Sequence, residues 1–348
     1  MHTILTALFS AATALLLARC LGADPPPAPL PGGPPPAAYI TLRQKTLTDG
    51  RALVASLAEG DVKAVYAHAD PRFAQAVPQE QLTHLIGGVR AQGLIGACIG
   101  DGALLEGPTV RLYIGDYHFL TGYLEIKLGF DTTNAVNFVL LTPHPALPNP
   151  KAGYVTKTRL RLPFDGQWWV FWGGETEAEN YHVIAPDQRH AYDFCVWKDG
   201  GTHQGDGSKN SDYWAWGRRV VAPASATVVE AVDGIEDNTP GVMNPKAVAG
   251  NHVVLDFGDG EYALIAHLQH GSVAVHPGDR VKAGQMLGLC GNSGNTSEPH
   301  VHMHLQDRAK LFHGAVGLPL AFDDYLTDGV MTKRGTPTQG QFICAAQR

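Results

Sequence analysis

Between Pro299 and Leu305 the chain reads Pro-His-Val-His-Met-His-Leu, with polar and apolar residues in strict alternation. A period of two does not suit an amphipathic helix, whose faces repeat about every 3.6 residues. It requires a strand that carries His300, His302 and His304 on one face and Val301, Met303 and Leu305 on the other. The apolar face has to be buried in a core. The Gly-, Asn- and Ser-rich run 291–297 predicts a tight turn leading into the strand. Neutral imidazole is a good zinc ligand, and zinc sites often pair His with a carboxylate. The plain alternative is a histidine-rich surface strand.

The surrounding chain has the same texture. From residue 173 onward, short apolar runs at 218–231, 251–258, 261–268, 280–289 and 300–306 are separated by Gly-rich turn signals, with no long helical period. This predicts an all-β, mostly antiparallel domain over 173–348. Upstream, 53–68 and 79–92 have helical spacing. Strand patterns follow at 110–114, 117–130, 135–141, 156–163 and 168–172, giving an α+β domain over 39–172. Two domains suit a chain of 348 residues.

The first 38 residues belong to neither domain. Residues 4–18 are an apolar run too short for a comfortable membrane span, and they resemble the core of a secretory signal, here assigned to 1–23 with cleavage after Ala23. Leu17-Ala18-Arg19-Cys20 resembles a lipoprotein box, with Arg19 where a small residue is wanted. Membrane contact is expected only if Cys20 is lipidated. Residues 24–38, nearly all Pro, Ala and Gly, predict a stiff tether.

A formal net charge of −7 and the lack of any basic run argue against a nucleic-acid partner. No Cys-x-x-Cys pair occurs, so the metal chemistry does not rest on thiolates. Without Cys20, the four cysteines Cys98, Cys195, Cys290 and Cys344 allow one or two disulfides, with the pairing open.

Taken together, Val-Val-Ala-Pro-Ala-Ser-Ala-Thr-Val-Val at 220–229, Ala266-His267-Leu268, the Val-x-x-Gly-Asp-x-Val-x-x-Gly-Gln turn, Gly291-Asn-Ser-Gly294 and Pro299-His-x-His302 resemble the lysostaphin-like (LytM-type) zinc endopeptidases. The resemblance covers about 173–320 and implies an exported enzyme of the bacterial envelope, periplasmic or extracellular. Such an enzyme hydrolyses peptide cross-links of peptidoglycan with a zinc-activated water. It implies Asp193 and His302 as zinc ligands and His267 and His300 as catalytic residues.

The resemblance has one gap. The family's His-x-Gly-x-Asp pattern has Arg189 at its His position here, and an arginine cation cannot bind zinc. His182 and His190 both remain candidates. A divergent branch with an Asn-x-His…Gln-x-x-Ala-x-Asp signature favours His182. His304 stands where the family often has Glu, as a support behind the ligands or an alternative ligand. Arg189 is expected near the site, paired with Asp187 or a substrate carboxylate. Asn251 and the loops 199–210 and 234–249 are expected to wall the groove.

Residues 50–92 resemble the cone-shaped domains of the nuclear-transport-factor and ketosteroid-isomerase superfamily. Two other functions stay open. One is a catalytically inactive family member that binds cell wall or activates another hydrolase. The other is a carbohydrate-binding β-domain with a structural metal.

Overall fold

The computed structural model describes residues 37–106 and 110–345. The expected signal 1–23, and the tether 24–38 except for its last two residues, lie outside the described residues. Among those described, two compact units form. One comprises 45–98 and 103–144; the other comprises 37–44, 99–102 and 145–345.

The first unit combines helices α1 (Ala37–Glu59, counted here from residue 45), α2 (Lys63–Tyr66), α3 (Pro71–Ala76) and α4 (Gln79–Gln92) with one sheet. The sheet holds β1 (Cys98–Glu106), β2 (Val110–Phe119), β3 (Gly122–Phe130) and β4 (Val136–Pro145), in that order. On α1, Gly50, Leu53, Val54 and Leu57 recur every three or four residues and are buried, the signature of one helix face against a core. Gly50 is required there, since a Cβ would overlap the Tyr113 ring. The expected helix over 53–68 is broken: Gly60 takes φ +86°, which ends α1 before α2 starts. α1 also begins at Ala37, inside the expected tether.

The second unit is built on β5 (Gln167–Trp172), β6 (Tyr192–Cys195), β7 (Arg219–Val221), β8 (Ala226–Val232), β9 (Asn251–Asp256), β10 (Tyr262–Leu268), β11 (Arg280–Val281), β12 (Met286–Leu289), β13 (Val301–Gln306), β14 (Gly317–Leu318), β15 (Phe322–Thr327), β16 (Val330–Gly335) and β17 (Phe342–Ala345). Its main sheet runs β11-β8-β9-β10-β13-β6-β5-β17-β15-β16, with β14 also on β13 and β12 paired with β7 apart from it. The pairings are antiparallel. Val301, Met303 and Leu305 are wholly buried in its core with Val253, Ile265 and Phe194.

Two expectations are corrected here, and one open possibility is closed. The boundary between the units falls at 144/145, not 172/173, because β5 pairs with β6 and β17 of the second unit. Residues 156–163 form no strand. The backbone N–H groups of Lys157 and Thr158 instead donate to the Glu261 carboxylate, at 2.7 and 2.9 Å, and leave only a bridge from Leu160 to Phe322. No disulfide links Cys98, Cys195, Cys290 and Cys344 to one another.

Candidate metal centre

The site is set by strand register. β13 lies between β10 and β6, and His302 is the direct cross-strand partner of both Asp193 and Ala266. Cross-strand partners share a face, so Asp193 and His302 meet: Asp193 Oδ1 lies 2.9 Å from His302 Nδ1. His267 follows Ala266, and plain alternation would turn it to the opposite face. Instead, β10 bulges between Ile265 and Leu268, and His267 takes φ +62°. That left-handed backbone turns its ring into the cleft, with its centroid 4.8 Å from that of His300.

His182 comes from a different kind of element, the 3₁₀ turn Tyr181–Ile184, which Asn180 caps by accepting the His182 backbone N–H. The turn brings His182 Nε2 to 3.5 Å from Asp193 Oδ2. One ligand atom each from His182, Asp193 and His302 lies within 4.8 Å of the others, and all three residues are buried. Ligands ~2.0–2.2 Å from a tetrahedral ion stand roughly 3.3–3.5 Å apart, so this donor set fits one zinc-sized cation.

His267 and His300 flank these three residues. His267 Nδ1 donates to the Ser293 carbonyl at 2.8 Å. His300 Nδ1 lies 2.9 Å from the Glu298 carbonyl, and its Nε2 is 3.5 Å from Asp193 Oδ1. Burial alone would raise the Asp193 carboxyl, but His182 and His300 outweigh it and hold the group well below the usual carboxylate range. Burial pushes His267 well down and lowers His182 to about 4. For His300 the neighbouring Asp193 charge overcomes burial and raises it. His304 continues the row, with Nδ1 3.0 Å from His302 Nε2 and Nε2 3.0 Å from Gln306 Oε1.

A cleft of ≈ 350 Å³ opens over these groups. Its rim carries exposed apolar side chains, among them Tyr181, Ile184, Met243 and Phe312. From the loop 234–249, Met243, Val248 and Ala249 line it.

Other expected site residues lie elsewhere. No residue of 199–210 is among the described residues lining the cleft. That loop props the site from behind, through the Thr202 hydroxyl on Glu298 at 3.2 Å and the Asn210 side chain on the Asn238 carbonyl at 2.7 Å. Asn251 does not wall the groove either. Its amide accepts from Ile235 N–H and donates to the Ile235 and Leu268 carbonyls, which ties down the β10 bulge. Arg189 was expected at the site, but its guanidinium reaches the Pro148 and Val183 carbonyls, at 3.0 and 3.2 Å. His190 is buried outside the His182–Asp193–His302 set, and burial followed by the Arg189 charge lowers it to about 4. Asn180, Ser293, Glu298 and Gln306 orient the imidazoles, and of these only Asn180 belonged to a signature that pointed to the site. The signal for two of them was present as an amide two residues from a His, in Asn180-x-His182 and His304-x-Gln306.

Comparison with known proteins places part of this unit. The chain is 30% identical over 159 residues to the endolysin 2638A of Staphylococcus phage 2638A, which is 45% of this chain and 28% of that protein. It thus spans little more than a quarter of that relative's length. Among solved structures, a zinc-containing peptidase from Vibrio cholerae aligns at 14% identity, covering 60% of this chain and 56% of that one, with a TM-score of 0.31. The catalytic domain of lysostaphin from Staphylococcus simulans aligns at 19% identity, covering 44% and 88%, with a TM-score of 0.26. The sequence model of peptidase family M23 matches residues 211–313, a stretch that contains His267, His300 and His302 and begins after His182 and Asp193. Residues 211–313 of this chain are therefore similar to peptidase family M23.

Proposed function

We propose that this protein is an exported zinc metalloendopeptidase that hydrolyses peptide cross-links of bacterial peptidoglycan. The observation that carries the reading is the convergence of His182, Asp193 and His302 on one point of a cleft that also holds two further imidazoles. In this reading His182, Asp193 and His302 hold the zinc. When bound there, the ion supplies an acidified water and a Lewis acid for the amide carbonyl.

The rest of the chemistry belongs to the chain. His267 and His300 each hold Nδ1 against a backbone carbonyl, which leaves Nε2 as the nitrogen that exchanges protons. One takes the proton of the attacking water and the other supplies a proton to the departing amine. His300 also stands where it can donate to a developing oxyanion. The apolar rim excludes water and seats an extended peptide. The first unit, proposed to be cone-like, serves binding or positioning rather than chemistry. Export fits the N-terminal sequence pattern.

The test is a digest of purified peptidoglycan by the full chain with zinc, followed by mass analysis of the products. New peptide termini at cross-links are expected. A folded, zinc-loaded protein that releases none would instead be a binding or activating module.

A further inference from the structure

We infer that Asn180 and Gln306, the latter through His304, are positioning residues that decide which nitrogen of His182 and of His302 carries its hydrogen. Both ligands are thereby left with a bare lone pair facing Asp193. The inference rests on the metal-centre reading above, but it concerns hydrogens on this chain that can be observed without any metal.

The argument starts from a group with no freedom, because a backbone carbonyl can only accept. The Arg308 carbonyl lies 2.7 Å from the Gln306 amide nitrogen, which fixes that end of the amide as the donor and Oε1 as the acceptor. His304 Nε2, 3.0 Å from Oε1, then carries a hydrogen, and His304 Nδ1 is a lone pair. That lone pair takes the hydrogen of His302 Nε2, 3.0 Å away. In the neutral ring, His302 Nδ1 is then left bare at 2.9 Å from Asp193 Oδ1.

The same logic runs from the other side. The Asn180 amide nitrogen donates to the carbonyls of Gly174 and Ala191, at 3.1 and 3.0 Å, so its Oδ1 is the acceptor. Oδ1 accepts the His182 backbone N–H and lies 2.8 Å from His182 Nδ1, which therefore carries the ring hydrogen. His182 Nε2 is bare, 3.5 Å from Asp193 Oδ2.

With both rings neutral, two lone pairs and an ionised carboxylate thus face one another with no hydrogen between them. Asn180, His304 and Gln306 are at most 1% exposed, so water cannot stand in for the hydrogen bonds that fix the two rings from behind. Giving His302 its hydrogen on Nδ1 would satisfy Asp193. It would also reverse the chain and press the Gln306 oxygen against the Arg308 carbonyl. The amides therefore hold an unfavourable cluster of acceptors ready for a cation.

The test is ¹⁵N NMR of the full chain stripped of metal by a chelator, with His182 and His302 assigned. His182 is expected as the Nδ1–H form and His302 as the Nε2–H form. Gln306→Leu should mix the His302 forms and weaken zinc binding, read by competition with a chromophoric chelator, by about 10- to 100-fold. Gln306→Glu keeps an acceptor for His304 but sets a second oxygen against the Arg308 carbonyl, so it should hold the His302 form while recovering only part of the zinc loss. His302 found as the Nδ1–H form in the stripped wild type would overturn the inference, as would Gln306→Leu changing neither reading. Tautomers as stated in a wild type that retains no zinc would support the inference and sink the metallopeptidase reading.

Discussion

Each unit buries a polar cluster, and the two clusters are built on opposite principles. In the first unit Arg111, 4% exposed, sends Nε and Nη2 to the Thr46 hydroxyl and Nη1 to Asn134 Oδ1 at 2.8 Å, and its charge lies 3.9 Å from Asp49. There, donors meet acceptors and the cluster is closed. In the second unit His182, Asp193 and His302 bring acceptors together beside an open cleft. A balanced buried cluster holds a fold, whereas one that needs a cation to balance it marks a site. Burial alone does not separate the two cases.

The largest effect should come from breaking the unbalanced cluster. Asp193→Ala should strip zinc from the protein and cost roughly a thousandfold in peptide hydrolysis, since several kcal/mol of charge stabilisation leave with the ion. Zinc analysis of the purified variant alongside its activity checks this, and a variant that keeps its zinc would remove Asp193 from the ligands. His300→Ala and His267→Ala should behave differently: zinc stays, and hydrolysis falls by about a hundredfold to ten-thousandfold. Activity equal to the parent would reduce either residue to a neighbour.

How far these roles could be read beforehand depends on how local their cause is. The alternation at 300–305 is a property of consecutive residues, so the strand, its buried Val301, Met303 and Leu305 and its row of imidazoles were all visible in the chain. His182 reaches Asp193 through a 3₁₀ turn and a chain reversal, which no periodicity predicts. The signature Asn180-x-His182 came from resemblance rather than from physics. His267 is turned by a bulge whose cause is tertiary. Arg189 failed as an expectation because three nearby carbonyls, those of Leu147, Pro148 and Val183, compete for its donors, and two of them lie some forty residues upstream. The unit boundary was misplaced for a similar reason. β5 has the local pattern of any strand, and only its pairing with β17, at the far end of the chain, shows which sheet owns it.

The closed cluster gives the smaller effect and the control. Arg111→Met should lower stability by about 1–3 kcal/mol, because buried Thr46 and half-buried Asn134 each lose a hydrogen bond to the guanidinium. Zinc content should not change. Denaturant unfolding with zinc analysis on the same sample reads both, and zinc lost in step with stability would show that the two clusters are not independent.

The most direct test of the central claim is anomalous diffraction at the zinc edge from crystals of the full chain. One ion is expected at about 2.0–2.2 Å from His182 Nε2, His302 Nδ1 and an oxygen of Asp193. An ion bound through His190 with His182 remote, or no ion at Asp193 in zinc-saturated crystals, would contradict the account.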